Sequence, residues 1–350
     1  MPFTQNQLAV GSNYQLDYFL KNDPIDQINT RHPLYSALIA KKKETVVGNE
    51  YEVEQVRFTN DSNYQNYFGA DQVTFNEKDT VRQAKYKHFN FHDGFGFDED
   101  TLRANGIVIT DDEEAQASKA EKVQLTNRLQ ESFETLKLGA QENLDKEMHL
   151  DGTQSAKACP GLDHLISTTP DTGIVGGIDA STALWWRNNT NLSIPTTTAG
   201  TLVDEMEQTW RACSRYGNMY PDLIIAGQDF IDAYRKDAQS VNARWVAVPG
   251  KGGVSQDAST TGLYFHGVEV VWDPTMDALD DIVGPQDNPW SKRAYFLNTR
   301  SLFFKPVAGA WMRRRKPPRV YDRYVHYWAI TGAYRMTCNQ RNSNAVLSIY

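Results

Sequence analysis

Cysteine is scarce in this chain: Cys159, Cys213 and Cys338 are the only three in 350 residues. They are odd in number, widely spaced and form no CxxC pair, so neither a disulfide framework nor a zinc knuckle is indicated. Three reduced, mostly buried thiols are expected. No apolar run approaches the roughly 18 residues that a membrane span needs. The opening MPFTQNQLAVGS lacks the basic and apolar regions of a secretory signal, so a cytoplasmic address is expected. Positive charge is also in short supply. Lys and Arg total 36 against 44 Asp and Glu, a net charge of -8, which argues against tight, sequence-independent gripping of nucleic acid, where cations displace condensed counterions.

Catalytic signatures are missing as well. There is no GxSxG elbow and no GxGxxG turn. PGKGG (249–253) has a Gly where a phosphate loop needs Ser or Thr and lacks that loop's first glycine, so it reads as a flexible loop. His88 and His92 are four apart, about 13 Å in an extended strand, and no HExxH accompanies them. DGFGFDED (93–100) lacks the order of a calcium loop and is expected as a solvated turn. RRRKPPR, beginning at Arg313, Arg314 and Arg315, is the one basic cluster, expected as a solvated face or an ion-pair partner between subunits. No catalytic set, metal site or cofactor site emerges.

What is present is length, aromatic content and order. The length suits about two domains. Eight Trp, 17 Tyr and 15 Phe supply side chains enriched in cores and at protein contacts. Residues 1–45 are broken by NDPID, RHPLY and AKKKE and read as an arm with one helical piece near Leu34–Lys42. YEVEQVRF (51–58) and VRQAKYKHFNF (81–91) alternate as strands, and the 22 residues between them, 59–80, form the polar tip of a long hairpin. Thr110 and Glu113 make a capping box, with Asp111, Asp112 and Glu114 adding favourable charge at the helix start. Apolar residues then recur from Leu125 to Met148 until Asp151 and Gly152, predicting one helix over 111–149.

Beyond it the pattern turns α/β. Leu202, Val203, Met206, Trp210 and Cys213 share a helix face that stops at Gly217. DLIIAG is a strand, QDFIDAYRKDA a helix, and LYFHGVEVVWD and RAYFLN are further strands, a sheet flanked by helices. HYWAITGAYRMTCN and NAVLSIY are expected to close the chain as a hairpin about QRNS. Arm and hairpin tip carry little core of their own. Holding about 50 such residues in one shape costs on the order of 50 to 100 kcal/mol of chain entropy. Roughly 2,000 to 4,000 Å² of apolar burial offsets that, the scale of an obligate interface.

Several stretches carry a family resemblance: GLDHLISTTPDTGIVGGIDASTALWWRN (161–188), the helix ending in HLDGT, PDLIIAGQDFIDAY, and before them SNYQNYFGADQVTF, AKYKHFNF and LRANGI. The chain resembles the major capsid proteins of tailed bacteriophages, which share the Hong Kong 97-type fold with encapsulins. The resemblance covers most of 46–300; the arm and the last 40 residues fit by order. It implies an α+β fold with an N-terminal arm (1–45), an extended loop (46–100), a peripheral domain (101–175) with a spine helix at 111–149, an axial domain (176–305) and return strands (306–350). Gly176 and Gly177 would form the crossing into the axial domain.

The function implied is a structural, non-enzymatic subunit of an icosahedral phage head. It would self-assemble into hexamers and pentamers around double-stranded DNA, without sequence-specific binding and without a membrane or cofactor. It would be assembled in the host cytoplasm and end in the virion capsid. Other partners implied are a portal protein and, optionally, a decoration protein. Because the sequence opens at Met1 without a charged helical preface, a separate scaffolding protein is expected. Assembly contacts are expected at Tyr67, Phe68, Lys85, Lys87, Trp185, Trp186, Arg187, Arg313, Arg314 and Arg315. Lys85 and Lys87 are the lysines that a covalent cross-link would need, though nothing in the sequence positions a partner. An encapsulin-like shell, an α/β enzyme and a glycan-binding module, with exposed Trp and Tyr, are the competing readings.

Overall fold

The computed structural model describes residues 30–45, 50–104, 119–198, 200–216, 220–240, 263–284, 286–317 and 325–350. The capping box at Thr110, the helix stop at Gly217, the PGKGG loop and most of the arm lie outside these. In chain order, the first elements are helix α1 (Pro33–Ala40), strands β1 (Tyr51–Arg57), β2 (Val81–Lys87) and β3 (Phe89–Asp98), and helices α2 (Glu99–Ala104), α3 (Lys119–His149) and α4 (Leu162–Leu165). Next come β4 (Ile174–Val175), β5 (Ile178–Asp179), β6 (Asn189–Ile194), α5 (Thr201–Ser214), β7 (Leu223–Ala226) and α6 (Gln228–Ser240). The chain ends with β8 (Leu263–Phe265), β9 (Val268–Trp272), α7 (Pro274–Val283), β10 (Arg293–Leu297), β11 (Leu302–Pro306), β12 (Arg313–Arg315), β13 (Val325–Cys338) and β14 (Ala345–Ile349).

The chain divides into two compact units: Met1–Thr30, Asn90–Asn143 and Gly309–Ala333 form one, and Arg31–Phe89, Leu144–Ala308 and Tyr334–Tyr350 the other. In the first, β12 pairs antiparallel with β13 from Arg313↔Thr331 to Arg315↔Ala329, and β3 also pairs with β13. The side chains at 91, 95 and 97 share one face of β3 by the period of two. Phe95 meets Phe133 of α3 edge-on at 5.2 Å and stacks on Trp328 at 5.7 Å. Phe91 lies so close to Gly332 that an added Cβ there would sit 2.2 Å from its ring, so only glycine fits.

The second unit holds a six-stranded mixed sheet, in the order β6-β14-β10-β7-β9-β8. β10 and β14 are buried along their whole length, as strands covered on both faces are. Leu202, Met206 and Cys213 of α5 and Phe230, Ile231 and Tyr234 of α6 pack with Ile224, Phe296 and Leu347 of the sheet in one core. Gly200, at the start of α5, offers no side chain as a cap. Asp237 of α6 supplies one, accepting from the Gly200 N–H at 2.5 Å and the Val203 N–H at 3.1 Å.

β1 and β2 form the expected hairpin, registered from Tyr51↔Lys87 to Arg57↔Val81, and 59–80 connects them without helix or strand. The second strand stops at Lys87 instead of running to Phe91, because the strand breaks at His88 and the chain continues as β3, which pairs with β13. In the second unit β11 pairs with the end of β13, from Leu302↔Cys338 to Pro306↔Tyr334.

Three further expectations are corrected. The last two strands are not a hairpin: β14 leaves β13 through a 3-10 turn at Arg341–Ser343 and inserts between β6 and β10, parallel to β6. DGFGFDED is no solvated turn but the end of β3 and the start of α2, because its phenylalanines alternate onto one face. LYFHGVEVVWD is two antiparallel strands, turned at His266 and Gly267, both with positive φ. Gly176 and Gly177 are the two central residues of the β4–β5 hairpin. Their φ values of 61° and 77° suit the positive-φ turn that matches strand twist. A Cβ on Gly176 would meet that of Ala84 at 3.0 Å.

Candidate functional site

The residues expected to make contacts divide into exposed and internal sets. Tyr67 and Phe68 stand on the hairpin connection, 70% and 89% exposed, together with Tyr64 and Phe75 at 85% and 90%. Four aromatic side chains thus stand in water on one polar segment, without cover in the chain. Lys85 and Lys87 are exposed on β2; the Lys85 N–H donates to the Gly176 carbonyl at 2.8 Å, and Lys87 Nζ lies 3.6 Å from Glu50. Arg313, Arg314 and Arg315 are exposed along β12. Arg314 lies over the Phe133 ring and Arg315 Nε donates to Thr331 Oγ1.

The tryptophan pair behaves differently. It sits on a 3-10 turn, Leu184–Trp186, just before β6. Trp186 is 1% exposed and its indole N–H donates to the Val175 carbonyl at 3.0 Å, so its contacts lie within the chain. Trp185 is half-buried against Phe58 of the hairpin, with ring centroids 5.4 Å apart. Arg187 Nε and Nη2 donate to the carbonyls of Ala180 and Ser181. Arg341 is buried beneath: it donates to the carbonyls of Leu165 and Trp186 and to Asn188 Oδ1. Burial lowers its pKa. Between β1, this turn and residues 339–342 lies a cleft of about 760 Å³.

Two charged networks hold the base of the structure. Lys305 Nζ on β11 contacts Glu52 at 3.0 Å and Glu54 at 2.5 Å, and Arg335 Nη1 lies 4.0 Å from Glu52. This fastens β1 to the sheet. The second network joins the ends of α3 and α1 to the start of α7. Asp145, His149 and Asp273 are fully buried, and each offers a ligand atom within 4.8 Å of the others, a spacing that could hold a metal ion. Their bonding argues for something else. His149 Nδ1 faces the Asp145 carbonyl at 2.8 Å and Nε2 faces Asp273 Oδ2 at 3.1 Å. Both partners only accept, so both nitrogens donate and the ring is an imidazolium. Asp145 Oδ2 accepts from Thr275 Oγ1 at 2.6 Å and from His32 Nδ1 at 3.1 Å, and Oδ1 from the Tyr35 N–H. Asp273 Oδ1 caps α7 through the Thr275 N–H. An ion would have to displace these bonds; the cluster is a closed ion network.

Burial pushes the His149 pKa down, but the charges of Asp273 and Asp145 outweigh it and raise the value to about 9. Burial pushes Asp145 up, and His149, with bonds from His32 and Thr275, overcomes it to hold the carboxyl below its usual range.

With this geometry in hand, the chain compares closely in architecture with solved structures. It matches the cyanophage A-1(L) capsid asymmetric unit with a TM-score of 0.63 at 14% identity, over 94% of this chain and 96% of that one. It matches a structure of Mycobacterium phage Adephagia at 0.53 and 10%, over 100% and 99%. The capsid of a native GTA particle follows at 0.53 and 11%, over 95% and 96%. The chain has the Hong Kong 97-type capsid fold. No protein-family profile and no curated protein matches it.

Within this capsid fold, the buried Asp145–His149–Asp273 network is what sequence reasoning missed. The Asp and His four apart near the end of α3 were a visible signal, since that spacing places them on one helix face. So was Asp273-Pro274, an N-cap followed by proline at the first helical position, which would also have found α7. The three thiols are all buried, as expected.

Proposed function

We propose that the chain is the structural subunit of an icosahedral phage head, assembling into hexamers and pentamers that enclose double-stranded DNA. The observation that carries this reading is the correspondence with capsid structures over nearly the full length of both chains. The exposed aromatics of 59–80 support it, since a segment with Tyr64, Tyr67, Phe68 and Phe75 in water needs a neighbour to cover it. Exposed Lys85, Lys87 and Arg313–Arg315, with Trp185 and Arg187 beside the cleft, belong to the same contact set, whereas Trp186 serves by packing inside the subunit. A structural rather than catalytic role is part of this reading; the Asp145–His149–Asp273 cluster is sealed and fully bonded, and the cleft is lined by no His, Cys, Asp or Glu. A separate scaffolding protein and a portal, and optionally a decoration protein, complete the reading, with host-cytoplasm assembly and the virion as destination.

Negative-stain microscopy of the purified protein, alone and with the scaffolding protein from its own source, tests this. Uniform hollow particles are expected; single globules under both conditions overturn the reading.

A further inference from the structure

The cleft beside Trp185 carries more than a contact surface. Its lining includes Arg57, Arg187 and Arg341 but no carboxylate, in a chain whose net charge is -8. None of the three is in an ion pair among the described residues: Arg187 and Arg341 bond to carbonyls and an amide oxygen, and Arg57 is exposed on β1. Arg57 and Arg187 therefore border the cleft of about 760 Å³ with accessible positive charge, and Arg341, 1% exposed, adds its charge from beneath.

The second observation concerns the backbone. The β1–β2 ribbon has two edges. That of β2 is covered at Lys85, whose N–H points away from β1 to Gly176. Phe58 N–H donates to the Thr80 carbonyl, and antiparallel pairs alternate, so Val56 faces β2 while the backbone groups of Gln55 and Arg57 face outward. Both residues line the cleft. An open strand edge is a template for another extended chain. A buried acceptor without a partner, Asn342 Oδ1, lies in the same lining. The half-buried Trp185, and Leu184 and Tyr216 at 69% and 49% exposure, supply apolar walls.

We propose that this cleft takes an extended acidic segment from a second copy of the chain, added to β1 as a third strand with its carboxylates on the arginines. The segment that fits is Ile107–Glu114, outside the described residues: four β-branched residues, Ile107 to Thr110, are followed by four carboxylates, Asp111 to Glu114, and docking it as a strand replaces the helical first turn that Thr110 and Glu113 would otherwise cap. A polypeptide is favoured over a nucleic acid because the unpaired edge is matched by peptide groups. The donor being a second copy, the inference rests on the assembly reading above.

The test uses the full-length protein at a dilution that keeps it dispersed, with a fluorescein-labelled peptide of residues 106–115 followed by anisotropy. Saturable binding that weakens with salt is expected, at least about tenfold weaker when the four acids are replaced by their amides. Arg57→Glu should give a similar loss. Gln55→Pro, which removes an N–H that the β1–β2 ladder does not use, should weaken binding with the circular dichroism spectrum unchanged. No saturation below about 1 mM, or equal binding by the acid and amide peptides or by wild type and Arg57→Glu, overturns the proposal. Shells that form while the peptide fails to bind sink this inference and leave the assembly reading standing. Peptide binding without shells does the reverse.

Discussion

Replacing His149 with Gln tests the buried network most directly. The imidazolium is held by Asp273 and the Asp145 carbonyl, and its value rises from the ordinary 6.5 to about 9. A cation whose folded pKa is raised stabilises the fold fully below the unfolded value, and that stability is lost as pH rises through the folded value. The window is therefore 6.5 to about 9, and the linked free energy is roughly 3 kcal/mol. Asp145 works in the opposite sense: its carboxyl is depressed, so its contribution is present above its ordinary 3.8 and is lost as pH falls through its folded value. Urea denaturation of the dispersed subunit, followed by circular dichroism below pH 6.5 and again above 9, reads the alkaline limb. Wild type should lose roughly 3 kcal/mol more than His149→Gln across that window. The variant should also start lower, by about 3 to 5 kcal/mol, because Asp145 and Asp273 stay buried without their cation. Equal pH slopes in the two proteins, or a His149 NMR titration centred at the ordinary histidine value, would refute the reasoning.

Other outcomes follow from burial. Trp186→Ala empties a site that is 1% exposed and breaks the bond to the Val175 carbonyl, so it should cost about 3 to 5 kcal/mol in denaturant unfolding. Phe68→Ser changes a side chain that is 89% exposed; subunit stability should stay within about 0.5 kcal/mol of wild type, while particle yield by sedimentation falls sharply. Cys159 and Cys213 are buried, and burial pushes both thiols up to about 12. Neither should react with an aromatic disulfide reagent until denaturant is added. Gly176→Ala places a Cβ at positive φ, 3.0 Å from Ala84, and should cost on the order of 1 to 2 kcal/mol or more.

Local pattern in the sequence revealed local structure. Alternation in YEVEQVRF and VRQAKYK found the hairpin, and Asp151 and Gly152 marked the end of α3 at His149. What stayed hidden was partner choice. NAVLSIY is apolar at nearly every position, and a strand buried on both faces has no alternation to say which edge it joins. Its neighbours β6 and β10 lie far away in sequence, and proximity to β13 suggested a hairpin that the sheet order excludes. DGFGFDED misled through composition, since Asp and Gly signal turns while the phenylalanine spacing signals a strand. The ion network was half legible: Asp145 and His149 share a helix face, but Asp273 is 124 residues from His149 and His32 is 113 from Asp145.

That distance in sequence explains why charge is buried here at all. α1 brings only Leu34 and Leu38 into the core, and apolar contact is non-directional, so two leucines leave a short helix free to slide or rotate. Polar ties remove that freedom. His32 and the Tyr35 N–H bind Asp145 at one end of α1, Lys41 Nζ binds Asp222 at 2.9 Å at the other, and Thr45 bridges in parallel to Val307 beyond it. Lys305 does the same for the hairpin through Glu52 and Glu54. Removing a partner of buried Asp145 or Lys305 leaves a desolvated charge unmatched, so these two ties register their segments more sharply than their net stabilisation suggests. If the chain assembles as proposed, a small rotation at the root of the hairpin moves its far end by many ångströms, away from the neighbour it must meet. Fixed register at the root is then what that assembly requires if identical copies are to meet at the same contact.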